Sequence, residues 1–193
     1  MKRVENAFHA GDKFDSIYAV RSSFFKTGIT DAMGRGQVIG FFMRGELFGL
    51  EGIGAGRYVG TAIRLEDSKV AAMPFALMED MARRNPGMQR RLHAILSQEI
   101  ARNKDAMMLL GSMSAEARLA IFLINLSTRF LLRGYSPSDL VLRMSRAEMG
   151  RYLGLKLETV SRLFSNFQKS RRLEAQHKHI RVLDTKALQR VLA

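Results

Sequence analysis

The sequence predicts an α+β fold in three parts: a small antiparallel β-roll, a long helix, and a C-terminal part in which a helix pair precedes a β-hairpin. Three observations predict it. Short apolar stretches separated by glycine turns fill the chain to about residue 75; apolar residues recur at helical spacing between His93 and Leu110; and the run SRAEMGRYLGLKLETVSRLFSNFQKS occupies Ser145 to Ser170. In the first part Ser16–Val20, Val38–Phe42 and Tyr58–Ile63 read as strands, set apart by the turn signals Ala10-Gly11-Asp12, Asp31-Ala32-Met33-Gly34 and Arg44-Gly45-Glu46. Short strands with glycine turns at this spacing favour an antiparallel roll or barrel. From Pro74 onward helix formers dominate, and Pro86, whose missing N–H costs nothing in a first turn, begins a long helix reaching Leu110.

Within that helix His93, Leu96, Ile100, Asn103, Met107 and Leu110 follow one another at spacings of 3, 4, 3, 4 and 3. Such a seam suits a two-stranded coiled-coil dimer, with Asn103 fixing the register, or an amphipathic helix packed on its own domain. Arg90, Arg91, Arg102 and Lys104 keep the other faces polar. A domain boundary is expected near Gly111. A second helix then runs from Ala115 to Leu132, Gly134-Tyr135-Ser136-Pro137 breaks it, and Leu140-Val141-Leu142 reads as a short strand.

The next run opens on Ser145-Arg146-Ala147-Glu148, where the Ser and Glu side chains satisfy orphan amides of a helix start reciprocally. Gly150 is small enough for a second helix to cross closely, Gly154 supplies the positive φ of a tight turn, and Met149, Leu153, Leu155, Val160 and Leu163 face inward around it. This is the helix-turn-helix pattern. With Val160, Leu163, Phe164 and Phe167 buried, the opposite face of the second helix presents Glu158, Thr159, Ser161 and Arg162 as candidates for reading base edges. Downstream, Leu173-Glu174-Ala175 and Ile180-Arg181-Val182-Leu183 flank the polar tip Gln176-His177-Lys178-His179 and form a hairpin, or wing. Lys169, Arg171, Arg172, Lys178 and Arg181 are the expected phosphate contacts, which set position rather than sequence. His177 and His179 read as a solvated tip rather than as metal ligands.

Composition agrees with an anionic partner. The 193 residues carry a net charge of +13, and residues 113–193 hold 15 Lys and Arg against 6 Asp and Glu, a net +9. Cations at that density release condensed counterions from nucleic acid. No apolar run approaches the roughly 18 residues of a membrane span, and MKRVENAFHAGDKF has no apolar signal-peptide core, so a cytoplasmic protein with no membrane partner is expected. The absence of Cys from these residues removes disulfides, thiolate zinc sites and Cys-ligated iron–sulfur clusters. His9 is the only His before residue 93, which leaves too few ligands for metal-dependent cupin chemistry, and neither a phosphate-binding loop nor a nucleophile elbow is present. No catalytic residues, metal or enzyme activity are expected.

These residues resemble the cyclic-AMP receptor protein and fumarate-nitrate-reduction regulator (CRP/FNR) family over nearly the whole chain, the FNR branch most closely. The resemblance is carried by Glu158-Thr159-Val160-Ser161-Arg162 and, in the roll, by Phe8-His9-Ala10-Gly11-Asp12, Ile17-Tyr18-Ala19-Val20-Arg21, Gly40-Phe41-Phe42 and Gly45-Glu46-Leu47-Phe48-Gly49. It implies a cupin-like β-roll sensory domain over 1–85, a dimerisation helix over 86–112 and a winged helix-turn-helix DNA-binding domain over 113–193. It also implies a homodimeric transcription regulator, activator or repressor, on an inverted repeat resembling TTGAT-N4-ATCAA. RNA polymerase would be a partner, with the loop from Glu51 to Tyr58 among the surfaces that touch it.

The departures carry information too. Ala71 stands where the FNR branch has a cluster-ligating Cys of the roll, so no iron–sulfur cluster is expected. Gly60-Thr61-Ala62 replaces the Arg-Ser-Ala that holds a cyclic phosphate, so no cyclic nucleotide is expected either, and Glu46 becomes a structural turn residue. Arg171 replaces a Gly common after the recognition helix, a position that strains an L-residue if its φ is positive. The alternative is an effector-independent or architectural DNA-binding protein with little sequence preference.

Overall fold

Short strands that bury aromatic residues build the first half of the chain, described here from a computed structural model that covers residues 6–31, 33–34 and 36–192. Ala32 of the second turn signal and Met1 to Glu5 lie outside the described residues. Contacts divide the chain into two units that part within the long helix, between Asp105 and Ala106.

The N-terminal unit contains β1 (Asn6–Phe8), β2 (Ser16–Ser22), β3 (Phe24–Thr30), β4 (Gly36–Met43), β5 (Leu47–Phe48), α1 (Gly52–Ala55), β6 (Thr61–Arg64), β7 (Lys69–Pro74) and α2 (Phe75–Arg84). The strands form two antiparallel sheets, in the orders β1-β6-β3-β4 and β5-β2-β7. Phe48 is the hub of the core they share. Its ring lies 5.3 to 5.9 Å from those of Phe8, Tyr18, Phe25 and Phe42. Phe8 in turn stacks on Tyr58 with centroids 3.8 Å apart. The buried Tyr58 hydroxyl donates to the Ser16 carbonyl at 2.7 Å, and the Ser16 amide donates back to it at 3.2 Å, so this polar tip leaves no orphan in an apolar cluster.

The expected strands at Ser16–Val20 and Val38–Phe42 lie within β2 and β4, but the third starts only at Thr61, because Tyr58 turns its ring into the core and precedes the ladder. β3, the strand that pairs with both β4 and β6, is not among the expected strands. A single residue, Ser23 at φ 61°, separates it from β2, so no Gly, Pro or Asn marks the break.

The long helix, α3 (Pro86–Ser112), starts where Asn85 accepts the amides of Gly87 and Met88 at 2.9 and 3.2 Å. It ends two residues beyond the expected Leu110. At 1.5 Å per residue it is about 40 Å long. Along the seam Leu96 is half-buried, while His93, Ile100, Asn103, Met107 and Leu110 are exposed, Ile100 at 71% and Met107 at 75%. No helix among the described residues is long and apolar enough to cross a membrane.

The C-terminal unit continues with α4 (Ala115–Leu131), β8 (Asp139–Val141), α5 (Arg146–Leu153), α6 (Leu157–Lys169), β9 (Leu173–Gln176), β10 (His179–Val182) and α7 (Thr185–Gln189), followed by a 3-10 turn at Arg190–Leu192. The three strands make one antiparallel sheet, β8-β10-β9. Both expected helix starts are capped: Ser114 accepts the Ala117 amide, and Ser145 and Glu148 close a capping box. Met149, Leu153, Val160 and Leu163 are buried as expected, and Leu155 is half-buried.

The crossing of α5 and α6 depends on two glycines. A Cβ on Gly150 would sit 2.5 Å from the Leu155 carbonyl oxygen, and Gly154 turns the chain at φ 64°. After α6 the chain turns at Arg171, whose φ of 52° is the left-handed conformation that the replaced glycine would adopt freely. Two stability changes follow, both measurable by urea denaturation. Gly150→Ala, forced against backbone, costs about 1–3 kcal/mol, and Arg171→Gly stabilises by about 0.5–1 kcal/mol through relief of the left-handed strain.

Candidate nucleic-acid interface

The period of α6 sorts its residues into two faces. Val160, Leu163, Phe164 and Phe167 are buried, while Glu158, Ser161 and Arg162 are exposed and Thr159 is half-buried. The structure brings all four predicted base readers to the first two turns of one helix. Their side chains make no hydrogen bond or ion pair with another described residue. A guanidinium fork, a carboxylate and two hydroxyls thus stand together with free donors and acceptors, a set able to address guanine, the cytosine amino group and thymine in a major groove.

Of the five predicted phosphate contacts, Lys169, Arg171 and Lys178 are exposed, and their side chains make no hydrogen bond or ion pair with another described residue. The other two are engaged within the fold. Arg172 is half-buried, ion-paired with Glu116 at the start of α4, and lies 5.3 Å over the Phe167 ring. Arg181 bridges the wing sheet, 3.1 Å from Asp139 and 3.9 Å from Glu174. Register explains it: Arg181 pairs across to Asp139 on β8 and to Glu174 on β9, so all three side chains share the outer face. His177 and His179 are exposed at the wing, and the described residues contain no group of three or more His, Asp or Glu that could hold a metal.

One residue of this surface was not singled out from the sequence. Arg146 is the first residue of α5, and its guanidinium carbon lies 3.4 Å above the centre of the Phe164 ring of α6. It is half-buried, burial pushes its pKa down, and it makes no hydrogen bond or ion pair with another described residue. A cation at a helix N-terminus opposes the macrodipole. Partial desolvation without a counter-charge adds a second cost, which an anion docked at the N–H edge of the guanidinium would offset. That dipole mismatch is visible in Ser145-Arg146 and is the signal by which the residue was findable.

In the roll, the positions where a cyclic nucleotide would be held by analogy serve the fold instead. The Glu46 carboxylate, buried in the turn after β4, accepts the Met43 amide at 3.0 Å. The Thr61 hydroxyl accepts the Ala10 amide at 3.1 Å. A Cβ on Gly60 would lie 2.9 Å from the Gly28 carbonyl oxygen, so no phosphate-binding side chain fits there without moving backbone. These residues do not fit a cyclic-phosphate site. Ala71, half-buried on β7, pairs with Ala19.

Comparison with known proteins matches both units. A Crp-like helix-turn-helix domain model covers residues 117–191, and a cyclic nucleotide-binding domain model covers residues 2–85. The chain is 43% identical over 186 residues to the "Transcriptional activator protein FnrA" of Stutzerimonas stutzeri, spanning 96% of this chain and 76% of that protein. It is 38% identical over 188 residues to the "Fumarate and nitrate reduction regulatory protein" of Escherichia coli K12, with 97% and 75% covered. Among solved structures, FixK2 from Bradyrhizobium japonicum superposes with a TM-score of 0.89 at 27% identity, over 98% of this chain and 93% of that one.

The stacking of Arg146 has a measurable outcome. Arg146→Ala weakens binding to specific and scrambled duplexes alike and lowers the salt slope by about one counterion, as read by anisotropy titrations across salt concentration.

Proposed function

We propose, for a chain that belongs to the CRP/FNR family of transcription regulators, that it binds DNA as a homodimer on an inverted repeat resembling TTGAT-N4-ATCAA. The protein is a CRP/FNR-type regulator with a helix-turn-helix DNA-binding domain and not an enzyme. The observation that carries the finer reading is the exposed face of α6, where Glu158, Ser161 and Arg162 stand without protein partners beside a buried apolar face that fixes their direction. Arg162 donates a bidentate pair to guanine, Glu158 accepts from a cytosine amino group, and Ser161 is short enough to approach a thymine. Lys169, Arg171, Lys178 and Arg146 hold the phosphates that flank these bases.

The exposed seam from His93 to Leu110 supports the dimer. Ile100 and Met107 on it are apolar and uncovered in the single chain, and a second copy of α3 in register would bury both. Two recognition helices then enter successive major grooves roughly 34 to 36 Å apart. The internal use of Glu46 and Thr61 and the crowding at Gly60 support DNA binding without a cyclic nucleotide, and the lack of Cys in these residues supports binding without a cluster held by them. The Stutzerimonas stutzeri relative carries the words "Transcriptional activator" in its name, which supports activation through RNA polymerase as the mode of action here.

Fluorescence anisotropy on the palindrome and on a scrambled duplex, at two salt concentrations, tests the reading. Tighter binding to the palindrome by about 10³-fold or more is expected, and Arg162→Ala should cost about 1–3 kcal/mol there and relax the preference at its guanine. Equal losses on both duplexes would sink the base-reading role, and equal wild-type binding to both would favour an architectural protein.

A further inference from the structure

We propose that Arg118 is a positioning residue that locks the helix-turn-helix onto the last turn of α3 and thereby sets the spacing between half-sites that the protein accepts; the proposal rests on the dimeric reading above. Arg118 lies in the first turns of α4 and is half-buried. Its guanidinium donates to three main-chain carbonyls from three separate segments of the C-terminal unit. Nη2 reaches the Leu110 carbonyl at 2.9 Å, Nε the Met113 carbonyl at 3.0 Å, and Nη1 the Leu153 carbonyl at 3.1 Å.

The chemistry of those acceptors explains the arrangement. Leu110 is in the last turn of α3 and Leu153 is the last residue of α5, so both carbonyls belong to the set that no helical N–H reaches. Each helix end also carries the negative pole of its macrodipole. One cation therefore satisfies one end carbonyl of each of two helices, and it makes no ion pair with a carboxylate among the described residues. The fork of donors is fixed and planar, which lets one side chain hold three acceptors in a set geometry; a lysine ammonium has no such fork.

The clamp sits directly on the turn that aims α6. A Cβ on Gly154 would lie 3.3 Å from Arg118 Nη1 and 3.3 Å from Leu110 Cδ2, so the turn is pressed against both. Three residues later α6 begins at Leu157. In the chain, α3 is joined to α4 by the two residues Met113 and Ser114. Two non-helical residues permit a wide range of angles, and the three bonds remove that freedom. A dimer joined along α3 presents its two recognition helices at the distance its protomers dictate. Rigid attachment then becomes a preference for one spacer length, as effective concentration at the second half-site falls when the geometry does not match.

The test compares wild type with Arg118→Gln and Arg118→Lys on palindromes with spacers of about two to six base pairs, and on a duplex carrying one half-site. Circular dichroism and sedimentation verify fold and dimer. Wild type is expected to peak at one spacer. Arg118→Gln should remain dimeric, bind the single half-site within about twofold of wild type, lose about tenfold or more on the preferred palindrome, and show a flattened spacer profile. Arg118→Lys, which keeps the charge but loses the fork, should flatten the profile in the same direction, and it carries the test if Arg118→Gln does not fold. An unchanged spacer profile in folded, dimeric variants would overturn the positioning role and leave the dimeric reading standing. A wild type that is monomeric, or indifferent to spacer length, would overturn the dimeric reading and this inference with it.

Discussion

The contact on which the DNA-binding unit depends is backbone against backbone, where Gly150 of α5 meets the Leu155 carbonyl ahead of α6. The Leu155 amide donates to the Gly150 carbonyl at 2.8 Å while the Gly150 Cα faces the Leu155 oxygen with no room for a methyl group. Everything that addresses a groove is referred to this crossing. It brings Phe164 under Arg146, orients the buried quartet of α6 and thus turns Glu158, Ser161 and Arg162 outward. Side-chain packing alone tolerates shifts through rotamer changes, but a main-chain contact of this kind does not. The unit is thus fixed by main chain at the crossing that directs Glu158, Ser161 and Arg162 outward.

The roll follows a different design. Its stability is centred on a single ring, Phe48, around which Phe8, Tyr18, Phe25 and Phe42 are arranged, with Tyr58 anchoring the far side through Ser16. Large aromatic side chains contribute both buried area and preferred ring geometry. The polar groups that a ligand site requires are turned to internal tasks instead: Glu46 closes a turn and Thr61 ties β6 to the chain after β1. Polar groups of a roll that matches a cyclic nucleotide-binding domain model are thus hydrogen-bonded within the fold itself.

How much of this was legible in the sequence tracks the distance over which each feature is encoded. The helix pair is written within 26 contiguous residues, by a capping box, two glycines and an apolar period, and its face of base readers follows from that period. The long helix is equally local. The central strand β3 was missed because its evidence is non-local: Phe25 finds Arg64 across the sheet, and only Ser23 divides it from β2. The same holds in the candidate site. Arg172 and Arg181 look like free cations in the sequence, and the carboxylates nearest to them, Glu116 and Asp139, stand 56 and 42 residues away. Arg118 gave no signal, since its acceptors are main-chain carbonyls, which every residue has.

The division between engaged and free cations bears on time as well as on affinity. On the proposed reading, Lys169, Arg171 and Lys178 would act through a field that reaches only about 8 to 10 Å at ordinary ionic strength, and such a field governs how often protein and duplex come together. Glu158, Ser161 and Arg162 would act only at hydrogen-bond range, after docking, and so would govern departure. That reading would assign arrival and residence to different side chains on neighbouring elements, so that ionic conditions would tune the rate of search while base sequence would tune the length of the stay.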